Sequence, residues 1–337
     1  MLLSICIPTY ERTACLNNCL NSIYIAKKNF NFNFEVCISD NASTENTKKI
    51  VNLYKKKLDI KFIQNQKNLG LGINIIKVVS MAKGKYSWII GNDDLLFPFA
   101  LKKIYNIINS NLDKDFFFIN SSNLDSKYVF SCKQPFNTNL IPRNLNTVSC
   151  VRSNRSLDFI DLINPAVSFD YLLGIFLSIF NTKKFKENIN ILNYKELKKK
   201  GIFSTFENTA PHVSVFAKTF IKSKAYFVGT PLSVNLYGMR EWGHLWSLVE
   251  IFHIPTALEK YRKNGLTFYK YYLYKNHSLK NFIPCFLKIF CNKSKYDISY
   301  IALIIILFRN LIYLNVYLSP FYFLNRKIKL YMSKILR

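Results

Sequence analysis

Trp88-Ile89-Ile90-Gly91-Asn92-Asp93-Asp94-Leu95-Leu96-Phe97-Pro98 carries the sharpest change of character in this chain. An apolar run stops at two adjacent carboxylates, and an amphipathic segment begins behind Pro98. Strand, acidic turn and helix is the simplest reading. In open α/β sheets, ligands bind just past the carboxyl ends of strands. Two Asp side chains at such an edge suit a divalent cation, which takes hard oxygen ligands. Asn-Asp-Asp is also ordinary turn chemistry, so the stretch needs support from the residues around it.

Upstream, the same alternation repeats. Residues 2–7 form an apolar run ending at Pro8, as a buried strand would. Leu16, Cys19, Leu20, Ile23 and Tyr24 then recur at helical spacing behind Thr13. Residues 34–39 read as a second strand, closed by Asp40-Asn41-Ala42-Ser43, and a helix bearing Ile50, Val51 and Tyr54 follows. Residues 60–64 read as a third strand. Asn68-Leu69-Gly70-Leu71-Gly72 is a turn before a helix with Ile73, Ile76 and Val79. Residues 86–90 are the fourth strand and 116–120 the fifth, with the helix of Leu101, Ile104 and Ile108 between them. This order predicts an α/β class, with a mostly parallel sheet and helices on both faces.

Downstream the pattern loosens. Residues 121–165 read as a surface excursion, and 205–220 as a helix starting near Thr209-Ala210-Pro211. Residues 225–228, Gly229-Thr230-Pro231 and 232–236 read as strand, turn and strand. Beyond 250, 15 Lys or Arg residues stand against Glu259 and Asp297, among many Tyr and Phe. Residues 298–324 are very apolar but interrupted by Arg309 and Asn310, which leaves no continuous span of about 18 apolar residues. Two readings stay open: a helix pair on a membrane interface, or a buried hairpin of a helical subdomain.

The whole chain of 337 residues carries 47 Lys and Arg against 20 Asp and Glu, a net charge of +27. That balance favours phosphate-bearing partners or an anionic membrane surface. No nucleic-acid recognition module accompanies it, so no nucleic-acid partner is expected. None of the eight cysteines forms a Cys-x-x-Cys pair, and Cys6 and Cys37 sit inside apolar strand patterns. A reducing, cytoplasmic setting follows. The first residues lack the basic segment and cleavage site of a signal peptide.

Taken in order, the strand ends deliver Pro8-Thr9-Tyr10-Glu11, Asp40, Asn68 with Gly70, and Asp93 with Asp94. On a parallel sheet these groups converge on one edge. Acidic side chains gathered there repel one another unless a cation relieves them. Mg2+ or Mn2+ bridging phosphate oxygens would do so. Asp40 reads equally well as a cap.

Ile5-Cys-Ile-Pro-Thr-Tyr-Glu-Arg, Glu35-Val-Cys-Ile-Ser-Asp-Asn-Ala-Ser, Asn65-Gln-Lys-Asn-Leu-Gly and Ser87-Trp-Ile-Ile-Gly-Asn-Asp-Asp-Leu-Leu-Phe-Pro occur in the order and near the spacing of a known family. Over about 110 residues the chain resembles a family 2 glycosyltransferase. The Gly91-Asn92-Asp93-Asp94 variant is similar to the dideoxy-sugar, abequosyltransferase-like branch that builds O-antigen. The resemblance implies a GT-A fold and inverting transfer from a nucleotide-diphosphate sugar donor to a hydroxyl of a lipid-linked or polysaccharide acceptor. It implies that Pro8, Thr9 and Glu11 lie near the nucleotide, that Asp40 meets the base, and that Asn68 and Gly70 line the donor site. It also implies Asp93 as metal ligand, Asn92 towards the ribose, and Asp94 either in support of the metal or towards the acceptor. The first carboxylate of the family's Asp-x-Asp-Asp is missing here.

An inverting transfer needs a base for the acceptor hydroxyl. The segment around Glu207 matches the family's base region, with His212 as second candidate, and Arg240 is a candidate diphosphate contact. Each has a plainer role open to it: an acid that offsets nearby lysines, a structural histidine and a surface turn. The expected division is 1–120 for the nucleotide sugar, 121–250 for the acceptor, and 251–337 as a helical, basic and aromatic extension. The expected place is the inner face of the cytoplasmic membrane. Competing classes are a nucleotidyltransferase, which wants a Gly-rich loop that Pro8-Thr9-Tyr10-Glu11 does not provide, and a non-catalytic basic binder.

Overall fold

The computed structural model describes residues 1–335 except Asn31, Ile202, Met239 and Arg240; of Glu241, Lys334 and Ile335 only the backbone is described. Nine strands, among the described residues, form one sheet: β1 Leu3–Thr9, β2 Phe34–Asp40, β3 Ile60–Gln64, β4 Tyr86–Ile89, β5 Leu95–Leu96, β6 Phe116–Asp125, β7 Arg155–Asp158, β8 Ser178–Asn181 and β9 Lys224–Tyr237. Their order is β3-β2-β1-β4-β8-β6-β9-β5, with β7 also on β9.

The parallel pairing expected from the alternation holds across β3, β2, β1 and β4. Past β4 the sheet is mixed. Strand β8 enters antiparallel between β4 and β6, and β6 then runs parallel to β9. Each residue of β1 and β2 is buried, as central parallel strands covered on both faces should be.

The period of two sorts these strands onto two cores. Ile5, Ile7, Val36, Ile38, Trp88 and Phe117 face one side, where helices Thr13–Asn29, Thr47–Lys55 and Ala100–Asn109 bring Leu20, Val51 and Ile104. Cys6, Cys37, Ile89, Phe116 and Phe118 face the other, against Leu71–Met81, Pro211–Thr219 and the C-terminal helices. Cys6 and Cys37 are aligned neighbours, both fully buried and both free thiols. Burial pushes the Cys6 thiol up.

The strand-turn-strand expectation at 225–236 is corrected. Lys224–Tyr237 is one strand, with an irregularity where Ile119 and Ser121 of β6 pass it. Gly229-Thr230-Pro231 does not turn because the gap beside it is filled by another segment. A Cβ on Gly229 would lie 2.3 Å from the Arg152 carbonyl oxygen, and the Gly229 N–H donates to Asn154 Oδ1 at 2.9 Å. A bulge with close backbone approach is a usual role for glycine in a strand.

The helix expected at 205–220 is two pieces, Phe206–Thr209 and Pro211–Thr219, with Pro211 opening the second. From Trp246 onward the chain is helical. Among the described residues no single helix is long and apolar enough to cross a membrane; Tyr300–Asn310 and Leu314–Ser333 reach that length only together, and they are bent by 103°. This region is in part core and in part exposed. Leu303, Ile306, Tyr313 and Val316 are buried in the main core, while Ile301, Phe308 and Phe321 are 73%, 67% and 70% exposed.

Candidate functional site

The register sets the strand ends level with one another. Thr9 pairs with Asp40, Asp40 with Gln64, and Cys6 with Ile89. Pro8 and the turn Gly91–Asp94 therefore reach the same edge, where both line a cavity of about 520 Å³.

The acidic turn is braced by its own side chains. Asp94 is buried and Oδ2 accepts from the Gly91 N–H at 2.6 Å. Asn92 Nδ2 donates to Thr9 Oγ1 at 2.8 Å, tying β4's end to β1's. Asp93 points to Arg12, with Nη1 to Oδ2 at 3.1 Å and both side chains 18% exposed. A Cβ on Gly91 would meet Asp93 Oδ1 at 2.6 Å, so a side chain there would displace that carboxylate.

A second layer lies behind this wall. Asp40 is fully buried; Oδ1 accepts from Ser43 N–H and Oγ at 3.2 and 2.5 Å, and Oδ2 from Gln64 Nε2 at 3.0 Å. It holds its own loop; the following helix is capped by Asn46. Glu11 sits at φ 46° and accepts from the Thr44 N–H at 2.8 Å, which lowers its carboxyl below the usual range. Asn68 and Gly70 are gathered by Asn41, whose Nδ2 donates to Asn68 Oδ1 at 2.7 Å and whose Oδ1 accepts from Leu69 N–H at 2.9 Å. Asn41 is a hub that sequence reading passed over as turn filler.

The structure thus brings Pro8, Asn92, Asp93 and Asp94 together in the cavity wall and sets Thr9, Glu11, Asp40, Asn68 and Gly70 beside or behind it. Glu207 is outside the wall, to which its neighbours Thr209 and Ala210 contribute. It is buried, ion-paired with Lys260 at 2.5 Å, and accepts from Ser214 Oγ at 3.0 Å. His212 is fully enclosed; Nε2–H donates to the carbonyls of Leu172 and Leu173 at 3.2 Å each. Arg240 lies outside the described residues. Three residues sequence reading missed do line the cavity: Asp170, Trp246 and His253. The one signal for Asp170 was a lone acid at the head of an apolar run. Burial raises its carboxyl above the usual Asp value.

His212 and His253 are neutral in this fold, each lowered by burial from 6.5 to about 4. A folded-state value below the unfolded one means the unfolded chain binds more protons between the two. Stability is therefore full above pH 6.5 and falls as pH drops towards 4. Each site costs on the order of 2 to 3 kcal/mol by about pH 4.5. Urea melts at neutral and acidic pH should show this loss, and His212→Gln should remove about half of it; an equal slope in the variant would refute the assignment.

The residues of the wall fit a divalent cation of the Mg2+ or Mn2+ kind, which needs only one or two carboxylates when substrate phosphates and water complete its shell. Asp93 and Asp94 are the residues that would hold it. Among the described residues no cluster of three or more His, Cys, Asp or Glu offers an all-protein cage.

Residues 4–147 match the model of Glycosyl transferase family 2. These residues are a family 2 glycosyltransferase domain. Abequosyltransferase RfbV of Salmonella typhimurium is 41% identical to this chain over 115 residues, which is 34% of each chain. The chain thus spans about a third of the length of this curated relative. Around and beyond the family 2 domain, the fold is similar to S. aureus TarS in complex with UDP, with a TM-score of 0.56, 19% identity, and coverage of 83% of this chain and 71% of that one. It is also similar to the mannosyltransferase PcManGT of Pyrobaculum calidifontis in complex with GDP-Man and Mn2+, with a TM-score of 0.50, 13% identity, and coverage of 86% and 75%. The GT-A architecture expected for the family 2 domain is the one found.

Proposed function

We propose that this chain is an inverting glycosyltransferase that moves a sugar from a nucleotide-diphosphate donor to a hydroxyl of a lipid-linked or polysaccharide acceptor. The observation that carries the reading is the Asn92-Asp93-Asp94 turn in a cavity wall at the carboxyl edge of the parallel strands, with Arg12 against Asp93. RfbV is named for abequosyl transfer, TarS was solved with UDP, and PcManGT with GDP-Man and Mn2+. These support a nucleotide-sugar donor and a divalent cation for this chain as well.

In this reading residues 1–120 hold the donor and 121–250 the acceptor. Asn92, fixed by Thr9, faces the ribose. Pro8, Glu11, Asn68 and Gly70 shape the nucleotide end, and Asp40 keeps its loop in place beside the base. Asp93 and Asp94 would hold the cation, which would supply Lewis-acid relief of charge on the departing diphosphate. Arg12, released from Asp93, turns to a phosphate oxygen, for which its fork of donors is suited.

The basic, aromatic residues 251–337 set the protein on an anionic membrane at the inner face of the cytoplasmic membrane, where a lipid-linked acceptor would be found. Exposed apolar side chains on Tyr300–Asn310 and Leu314–Ile335, with Lys288, Arg326, Lys327 and Lys329 also exposed, have the composition of an interfacial surface.

A thermal-shift screen of UDP, GDP, CDP and dTDP with Mn2+ tests the donor half directly. One nucleoside diphosphate should raise the melting temperature, by an amount set by its concentration over Kd, and EDTA should remove the shift. No shift from any of the four sinks the reading.

A further inference from the structure

The cavity is lined by two chemically different groups of side chains. Arg12 and the Gly91–Asp94 turn are polar and charged, whereas Phe169, Phe203, Trp242 and Trp246 are aromatic, and Asp170 stands among them. The rings form a continuous run: Phe203 to Trp242 at 5.0 Å, Trp242 to Trp246 at 6.3 Å and 30°, and Trp246 to Phe169 at 6.1 Å. Phe169 is half exposed. A pyranose offers an apolar C–H face and hydroxyl edges, so a ring wall with one carboxylate is what would orient it.

Asp170 is held there at a conformational cost. The next two residues, Tyr171 and Leu172, lie at φ 52° and 70°, the left-handed region that bulky side chains avoid. Such outliers persist when their surroundings over-determine them, and here four hydrogen bonds do so. His212 Nε2–H donates to the Leu172 and Leu173 carbonyls, Tyr261 Oη to the Tyr171 carbonyl at 3.2 Å, and Tyr171 Oη to the Tyr274 carbonyl at 3.0 Å. The carboxylate accepts from Ser168 Oγ and, at 2.9 Å, from the Gly174 N–H. Together with the Leu172 and Asp170 N–H groups, which also turn to it, these contacts fix the orientation of the Asp170 carboxylate. Glu207 and His212, the two groups the sequence offers for proton transfer, do not reach the cavity wall.

Resting on the glycosyl-transfer reading, we infer that this aromatic wall is the acceptor subsite, binding a saccharide ring, and that Asp170 takes the proton of its attacking hydroxyl. The acceptor oxygen forms a bond to the donor's anomeric carbon as the bond from that carbon to the diphosphate oxygen breaks. The bonding pair leaves with the nucleoside diphosphate, and the hydroxyl proton passes to an Asp170 carboxylate oxygen. The raised basicity of this buried carboxylate suits that task. The role of His212 is then positional: it holds the left-handed pair that presents Asp170.

The test uses the full chain, Mn2+, the sugar nucleotides whose diphosphate shifts the melting temperature, and either water or 4-nitrophenyl glycosides as acceptor. Asp170→Asn should lower diphosphate release about 100-fold or more, the usual range for a lost general base, while the diphosphate-induced thermal shift stays as in the wild type. Phe169→Ala should raise the KM for the glycoside and leave that for the donor unchanged. Release by Asp170→Asn within about threefold of wild type overturns the role of Asp170, as does a loss that follows Glu207→Gln instead. If Asp170→Asn does not fold, Phe169→Ala and Trp246→Ala decide, and an unchanged glycoside KM in both overturns the subsite. Absence of any diphosphate shift, or of release by the wild type, refutes the transferase reading itself.

Discussion

Asp93→Ala is expected to abolish both the Mn2+-dependent nucleotide shift and the turnover of sugar nucleotide, by about 10³-fold or more, on the order of 4 kcal/mol of transition-state stabilisation. The loss should not come from unfolding. Asp93 and Arg12 are part-buried, both 18% exposed, and water on their open side screens the pair, so it contributes on the order of 1 kcal/mol to stability, the upper end for surface pairs. The melting temperature without nucleotide should therefore move by only a few degrees, about 1 to 3 °C for a domain of this size. Two partial effects are separable. Removing the carboxylate weakens cation binding, whereas removing Arg12 should weaken nucleotide binding and leave the cation requirement in place. Turnover by Asp93→Ala equal to wild type would show that the cavity's acidic turn is structural.

The face formed by Tyr300–Asn310 and Leu314–Ile335 should bind vesicles containing phosphatidylglycerol. The combined substitution Ile301→Ser, Phe308→Ser and Phe321→Ser should weaken that binding about 100-fold, near 3 kcal/mol, allowing about 1 kcal/mol for each partly inserted side chain. All three side chains are mostly exposed, so their loss should leave the melting temperature nearly unchanged. Deleting the two helices is a poorer test, because Leu303, Ile306, Tyr313 and Val316 belong to the main core and their removal would open it. Rising salt should weaken binding in part only, since screening acts on the lysines and arginines and not on buried apolar area. Equal sedimentation of the triple variant and wild type with vesicles would refute the membrane assignment.

The first half of the fold was legible because β1 to β4 obey two simple rules: buried parallel strands read as continuous apolar runs, and each is followed by a helix of period 3.6. The acidic edge was legible for the same reason, since parallel strands deliver their carboxyl ends together. What was not legible depends on contacts distant in sequence. Gly229-Thr230-Pro231 has the composition of a turn, yet the backbone of Arg152 fills the space beside Gly229 and keeps the strand straight enough to continue. Glu207 stood in the expected segment, but Lys260, 53 residues on, draws it into an ion pair away from the cavity. Asp170 gave almost no signal, because its placement rests on left-handed backbone at Tyr171 and Leu172, held by His212 and Tyr261. The C-terminal helices gave an ambiguous signal because their inner and outer faces are both apolar.

The strand order has a practical side for protein production. Strand β8 comes from residues 178–181 and sits between β4 and β6 of the family 2 region. A fragment ending at residue 147 would lose that strand and β9 with it, leaving β4 and both sides of β6 with unpaired backbone groups. Bare sheet edges of this kind recruit strands from other molecules. The family 2 region of this sequence is thus a unit of inheritance and not a unit of expression, and a soluble preparation must carry the chain through β9.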